Sequence, residues 1–430
     1  MTRVKRIFWV LSVIAVSLIF VMTGAVSAGK YEGQTITVLA ADHPGFNGLI
    51  DLASDFEKAY GIKIKFDIVD QGSIWTKVAL TAGTGNYDVL MVDSMQVAEL
   101  ISLSVLEPLN KYVNDQSIAV PDFDFADVMP SYIELFTYNK NIYAFPLSGE
   151  TALYFYRKDL YEKYGRKPAK TMEELMKDMA FFNGREPGLY GHTAHAIDAQ
   201  SMMILMWHFG GRFFVGDDPH AKLVINSKEN RAAWKFYADS IKYLPPGFTA
   251  YGYDMSASMF QQLKVATYID ASNISFLLDP KYSKLTKQNM GWALIPLAKG
   301  VTKRASVVCG WGLAVAKGST HKEAAFKLVE YQLTKAIDKL LAKSRMPNRL
   351  SSYADPAMVA AYPYLPIVAE ALKTANADFL PRIPECVEIW NLLGEEVKLI
   401  AAKQETPTKA LQKLQASIYA VMEKAGYYKK

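Results

Sequence analysis

The alternation of elements between residues 35 and 92 constrains the fold more than any other part of the chain. Thr35 to Leu39 is a short β-rich run, and Ile62, Ile64, Phe66 and Ile68 alternate with Lys63, Lys65 and Asp67 in the period of a half-exposed strand. Between them Leu49, Leu52, Phe56 and Tyr60 share one face of a helix that Gly61 stops. A second helix, Ser73 to Ala82, is closed by Gly83-Thr84-Gly85, and Asp88 to Val92 reads as a fully buried strand. This β-α-β-α-β series predicts an α/β fold with a mostly parallel sheet, helices on both faces and ligands at the carboxyl ends of the strands.

Pro146-Leu147-Ser148-Gly149-Glu150 runs at once into the apolar stretch Ala152 to Tyr156 and then Arg157 to Leu160. It reads as one strand ending and another beginning, with a carboxylate between them. In a two-lobed α/β protein such a crossing lies at the mouth of the interlobe cleft. Beyond it, Thr171 and Glu174 form a capping box for a helix to about Phe182, a helix follows from Ser227, and Val265 to Ile269 is a strand. Val307 to Ala316 leads into a helix expected to be capped by Thr320 and Glu323. Thr406 and Pro407 open a last helix with Leu411, Leu414, Ile418 and Val421 on one stripe. The expected lobes are discontinuous: 29–148 plus 306–350, and 149–305 plus 351–430, hinged near 148–152 and 302–308.

Residues 1–28 read as a secretory signal, with Arg3, Lys5 and Arg6 before an apolar run and Val26-Ser27-Ala28 for cleavage. Its removal lowers the formal net charge from +5 to +2, which takes away the electrostatic argument for a nucleic-acid partner. The 402 residues left (430 minus 28) suit two domains. Cys309 and Cys386 are either two small buried residues or a bridged pair, a choice the sequence leaves open. No nucleophile motif, phosphate loop or metal set is present, so neither a metal nor a cofactor is expected. His192 and His195 lack a third ligand and read as ordinary loop histidines.

Several blocks together resemble the family 1 extracellular solute-binding proteins, the receptors of bacterial carbohydrate ABC importers and the family of the maltose-binding proteins. These blocks are Gly45 to Leu49 with Phe56-Glu57-Lys58, Tyr87-Asp88-Val89, Pro146 to Leu160, Gly210-Gly211, Ala324 to Tyr331, and Pro384 to Trp390. The resemblance implies a periplasmic-binding-protein-like fold: two α/β lobes joined by a hinge, closing on a small carbohydrate and docking on a membrane permease. It implies a periplasmic monomer that makes and breaks no bond.

The resemblance also implies a ligand set. His43 sits in the loop after the first strand. Asp93, Ser94 and Gln96 follow the strand ending at Val92, where Asp93 or Ser94 serves equally well as a helix cap. Glu150 falls at the crossing, Asp198 and Gln200 precede Gly210-Gly211, and Asp270 ends a strand, with a cap as the alternative. Trp390 falls where relatives stack a tryptophan on a sugar ring, Trp311 is a second platform or core, and Arg382 reaches hydroxyls or lies on the surface. Trp207 and Trp234 are assigned to packing. Pro44 and Asn273 replace a family lysine and a family stacking tryptophan. The aromatic floor is therefore incomplete, which argues for a monosaccharide, sugar alcohol or short oligosaccharide. The alternatives are a secreted carbohydrate-active enzyme using Glu150 with Asp93 or Asp270, whose carboxyl separation would set its chemistry, and a receptor for a non-sugar solute.

Overall fold

The computed structural model describes residues 28–120 and 123–428, so the signal segment expected over 1–28 lies outside the described residues apart from Ala28. Eleven strands are described: β1 Thr35–Ala41, β2 Lys63–Val69, β3 Val89–Asp93, β4 Thr137–Tyr138, β5 Asn141–Ile142, β6 Phe145–Arg157, β7 Tyr190–Thr193, β8 Val265–Ala271, β9 Met290–Ala293, β10 Ser306–Val315 and β11 Ala375–Asn376. Nine of them form one sheet in the order β2-β1-β3-β10-β6-β8-β7, with β11 on β10 and β9 on β6, while β4 and β5 make a separate hairpin. The β-α-β units are parallel at β1–β2, β1–β3 and β7–β8. Antiparallel pairs occur along β10 and β6, the two strands that join the β1–β3 part of the sheet to the β7–β9 part.

Two adjustments to the expected elements have local causes. The helix expected around residues 49–60 is two helices, Pro44–Ile50 and Ala53–Tyr60. The first starts early because His43 caps it and Pro44 fits its first turn; Gly61, at φ 68°, ends the second as expected. The helix after β10 is Lys322–Tyr331, with His321 rather than Thr320 at its N-cap. The Ser319 hydroxyl instead accepts from the His321 amide and donates to Asp88.

The crossing also differs from expectation. Phe145 to Arg157 is a single unbroken strand that changes partners along its length rather than turning. Residues Phe145 to Thr151 pair with β10, whereas Ala152 to Tyr156 pair with β8 and Tyr154 to Arg157 with β9. Eleven of its thirteen residues are buried, which favours a continuous run over a bend.

The strand is fixed on both sides of Glu150. On the first-lobe side the Asn348 amide donates to Leu147 O (3.1 Å) and accepts from Gly149 N (3.2 Å), and buried Arg345 also donates to Leu147 O. On the other side Thr151 Oγ1 donates to Val307 O (2.6 Å), and Ser272 exchanges two hydrogen bonds with Thr151. Two cores result. The larger spans β1–β3, β10 and the helices after them; the second lies under the helices Gln200–His208, Cys386–Ala401 and Pro407–Lys424, and it takes Trp207 and Trp234 as expected.

The capping box forms as the sequence predicts. Thr171 Oγ1 accepts from Glu174 N (3.2 Å), and Glu174 Oε2 accepts from Lys170 N (2.7 Å), at the start of the helix Met172–Phe182. Thr171→Ala is expected to cost about 1 kcal/mol. The check is the midpoint of denaturant unfolding, and an unchanged midpoint would show that the cap contributes nothing.

Candidate ligand-binding site

Parallel units place their strand ends at one edge, and that edge carries the acidic residues. Asp93 is the last residue of β3, opposite Trp311 on β10; Trp311 in turn lies opposite Ser148 on β6, and Cys309 lies opposite Glu150. Asp270, one residue before the end of β8, sits opposite Leu153. The sheet therefore brings Asp93, Glu150 and Asp270 to one crossing from three different strands. Glu150 and Asp93 are half-buried, while Asp270 is 1 % exposed.

These groups sense one another. Burial, reinforced by the charges of Asp270 and Asp93, pushes the Glu150 carboxyl up to about 7 against the opposing Ser148 hydroxyl. Burial pushes Asp93 up to about 6, offset in part by the Met95 amide. Asp270 goes the other way. Burial works against its charge, but His195 Nε2 lies 2.6 Å from its Oδ2 and holds the carboxylate ionised. The other ring nitrogen, Nδ1, is 2.9 Å from Asp198 Oδ1. Burial opposes the imidazolium too, yet the two carboxylates outweigh it and raise His195 to about 10. Tyr237 OH donates to His195 O (2.7 Å) and the Ser201 hydroxyl accepts from His195 N (2.9 Å), so the ring is fixed between its partners. The arrangement is one cation clasped by two carboxylates, Asp198 and Asp270, with Glu150 coupled to Asp270 and Asp93.

The remaining expected residues fall into two groups. His43 is buried, its Nδ1 accepting from Gly45 N (3.1 Å) as the helix cap and its ring 6.0 Å from that of Trp311. It is held neutral, at about 4, by burial. Asp93 Oδ1 accepts from Met95 N (2.9 Å), and the Ser94 hydroxyl accepts from Gly310 N (3.3 Å), so both brace the loop after β3. Gln200 opens the helix Gln200–His208, its amide on Asp198 Oδ1 (2.9 Å). Trp311 and Trp390 are half-buried. Trp390 lies one turn after Cys386, which senses the Asp93 charge, and one turn before Gly394, which packs on Asp198. It is thus on the face of its helix bracketed by two of the acidic residues.

Arg382 does not join this group. Its Nη2 donates to Glu134 O and Thr137 O and its guanidinium lies 4.4 Å over the Tyr138 ring, so backbone carbonyls anchor one end of it away from the acidic edge. Cys309 and Cys386 are free thiols.

Three residues at the site were not anticipated. His195 was read as an ordinary loop histidine, although its place just after β7 puts it on the same strand-end edge as the acids. Trp75 has its indole Nε1 buried beside Asp93, where it favours the charged form of that carboxyl. Gln96 reaches Trp75 O (2.9 Å), which leaves its buried Oε1 unpartnered among the described residues. Tyr253, half-buried, senses both Glu150 and Asp270 and stacks on Phe276. Its flanking Gly252 was the one available signal. No cluster of three or more metal-ligating side chains occurs among the described residues, and no helix among them is long and apolar enough to cross a membrane.

This geometry can be set beside known proteins. The sequence pattern of the bacterial extracellular solute-binding proteins matches residues 40–339, most of the chain. The chain belongs to that family. Among solute-binding relatives it is 27% identical to the mannitol-binding protein of Pseudomonas aeruginosa, over 92% of this chain and 95% of the relative. A solute-binding protein of Agrobacterium vitis with bound D-mannitol superposes with a TM-score of 0.81 at 27% identity, covering 92% of this chain and all (100%) of that one. One from Agrobacterium radiobacter in complex with ribitol gives 0.81 at 26%, covering 90% and 98%. The two-lobed α/β architecture is the one these solute-binding proteins share.

Proposed function

We propose that this solute-binding protein is the periplasmic receptor of an ABC importer and that it captures a small acyclic polyol, a sugar alcohol, between its lobes. The single observation that carries this reading is the gathering of carboxyls from three strands at one edge, beside an acceptor without a donor. Gln96 Oε1 lacks a donor among the described residues, and Glu150 and Asp93 are carboxyls that burial makes hard to ionise. A hydroxyl group both donates and accepts, so a chain of hydroxyls satisfies carboxyls and the Gln96 acceptor alike, whereas an anion would face acidic groups from three strands. Half-buried Trp311, Trp390 and Tyr253 supply apolar faces for the carbon skeleton. The mannitol and ribitol complexes of relatives support the same class of ligand. The chain acts as a monomer cleaved near Ala28, hinges where β6 and β10 cross, passes the closed form to a membrane permease, and binds no nucleic acid. Binding leaves the ligand intact.

A thermal-shift panel of D-mannitol, ribitol, D-glucose, maltose and putrescine tests the reading. The largest rise is expected from a sugar alcohol. A rise with putrescine alone would replace the polyol by a cation, and turnover of any sugar would replace the receptor by an enzyme.

Affinity should depend on pH. Glu150 and Asp93 accept hydroxyl protons as carboxylates, and their free-state values are raised to about 7 and about 6. Binding that favours the ionised form is full above these values and is lost as pH falls through them. Calorimetry from about pH 8 to about pH 5 should show Kd rising by about tenfold or more, with proton release near neutrality. A Kd constant across that range would remove the two carboxylates from the site.

A further inference from the structure

We propose that His195 and Asp270 are positioning residues for ligand capture: they touch no ligand themselves, and together they hold the Asp198 carboxylate ionised and aimed so that its Oδ2 accepts from a ligand hydroxyl. The inference rests on the proposed function, since it concerns the same cleft. It takes Asp270 out of the contacts that the resemblance implies and gives a role to a residue read as an ordinary loop histidine.

Burial separates the three side chains. Those of His195 and Asp270 are 2% and 1% exposed, whereas that of Asp198 is 28% exposed, so Asp198 alone of the three offers surface to a ligand. The lone pairs are distributed in the same way. Asp270 Oδ2 accepts from His195 Nε2 and from the Tyr268 hydroxyl, and its Oδ1 accepts from Ala271 N (2.7 Å), so donors of the protein serve both oxygens. Asp198 Oδ1 accepts from Gln200 N (2.9 Å) and from His195 Nδ1 (2.9 Å). Its Oδ2 has only a share of that same Nδ1 proton, at 3.0 Å, among the described residues, which leaves it lone pairs for a further donor. A Cβ at Gly252 would stand 3.5 Å from this oxygen, so the glycine before Tyr253 keeps the space beside it open.

The geometry also fixes the charge of the ring. A neutral imidazole has one N–H, yet carboxylate oxygens face both ring nitrogens, and only the imidazolium donates to both. The other titratable groups against His195 are Tyr237, from the helix Lys228–Ser240, and Tyr253, from the helix Tyr253–Gln261, whose ring lies edge-on at 6.3 Å. Burial raises both phenols, as it does Tyr268 beside Asp270, so none of them adds a charge. The charges of His195 and Asp270 therefore cancel in the interior, and the one negative charge left over lies at Asp198, the exposed end. Glu150 still feels Asp270, which makes its titration a reporter of the clasp.

Titration calorimetry of the full mature chain with D-mannitol and ribitol, from about pH 8 to about pH 5, tests the proposal. His195→Gln should weaken binding at about pH 8 by about tenfold or more, because Asp270 loses its cation. Adding Asp270→Asn should return affinity to within about threefold of the parent, the glutamine amide donating to Asp198 and accepting from the asparagine. The double variant also lacks the charge that opposes ionisation of Glu150, so its affinity should fall at a lower pH than the parent's, a shift that a purely structural role would not produce. Asp270→Asn alone supplies the same pH test where thermal melts show the double variant unfolded. Nitrogen NMR of the free parent should show both His195 N–H groups still protonated at about pH 8, since the two carboxylates raise the ring to about 10. A neutral ring at that pH, a folded double variant without recovery, or an unmoved pH midpoint overturns this inference while the parent still binds. Failure of the parent to bind either polyol instead overturns the proposed function, and this inference with it.

Discussion

Glu150→Gln lowers polyol affinity by about 10- to 100-fold, measured at about pH 8, while the free protein stays as stable as the parent or becomes more so. The affinity loss follows from exchanging a charge-assisted acceptor for a neutral amide at the point where β3, β10 and β6 meet. The stability effect has the opposite sign because the Glu150 charge is unfavourable in the empty protein: burial and the charges of Asp270 and Asp93 raise its value to about 7. A carboxyl raised in the folded state contributes stability that is present below its unfolded value and lost as pH rises through about 7, so above neutrality the neutral glutamine removes a cost. Calorimetry and denaturant melts on the same variant give both readouts. An affinity loss accompanied by an equal loss of stability would make Glu150 a folding residue, and unchanged affinity would remove it from the site.

Gly310→Ala is expected to destabilise the protein by on the order of 3 kcal/mol or more. Gly310 has φ 148°, and a Cβ there would stand 2.1 Å from Ser148 O and 3.0 Å from Gly149 Cα. Both neighbours are backbone of the facing strand, which cannot rotate away as a flexible side chain can. The clash falls in the row that aligns Cys309 with Glu150 and Trp311 with Ser148, so relief by strand separation would also misplace the acidic edge. Urea unfolding gives the first number and polyol titration the second. A variant with parental stability and affinity would show that the crossing tolerates local spreading.

Much of the architecture was legible because it is written in short-range patterns. Alternation marked β2, the glycine at position 61 ended its helix, and the Thr171 and Thr406 caps opened theirs, each through interactions within a few residues. The elements misread were those decided by partners distant in sequence. The stretch around Glu150 looked like two strands because Ser148-Gly149 resembles a turn, yet β10 and β8 hold it straight from either side. Thr320 looked like a cap, but Asp88, more than two hundred residues earlier, recruits Ser319 instead. Arg382 is a lone cation in the sequence; only the fold brings Glu134 O and Thr137 O to it.

The same division holds at the site. Strand ends are visible in sequence, and with them Asp93 and Asp270, because a parallel β-α-β unit sends every carboxyl end to one edge. What the linear order of residues could not express is distance across the sheet: that His195 stands between Asp198 and Asp270, that Trp75 comes beside Asp93 and takes the Gln96 amide, and that Glu150 feels both acids. Local propensity depends on neighbours along the chain, whereas charge coupling and desolvation depend on neighbours in space. The sequence by itself determined the elements and the family of the fold; the tertiary structure decided which acids share one space and which of their charges must await a ligand.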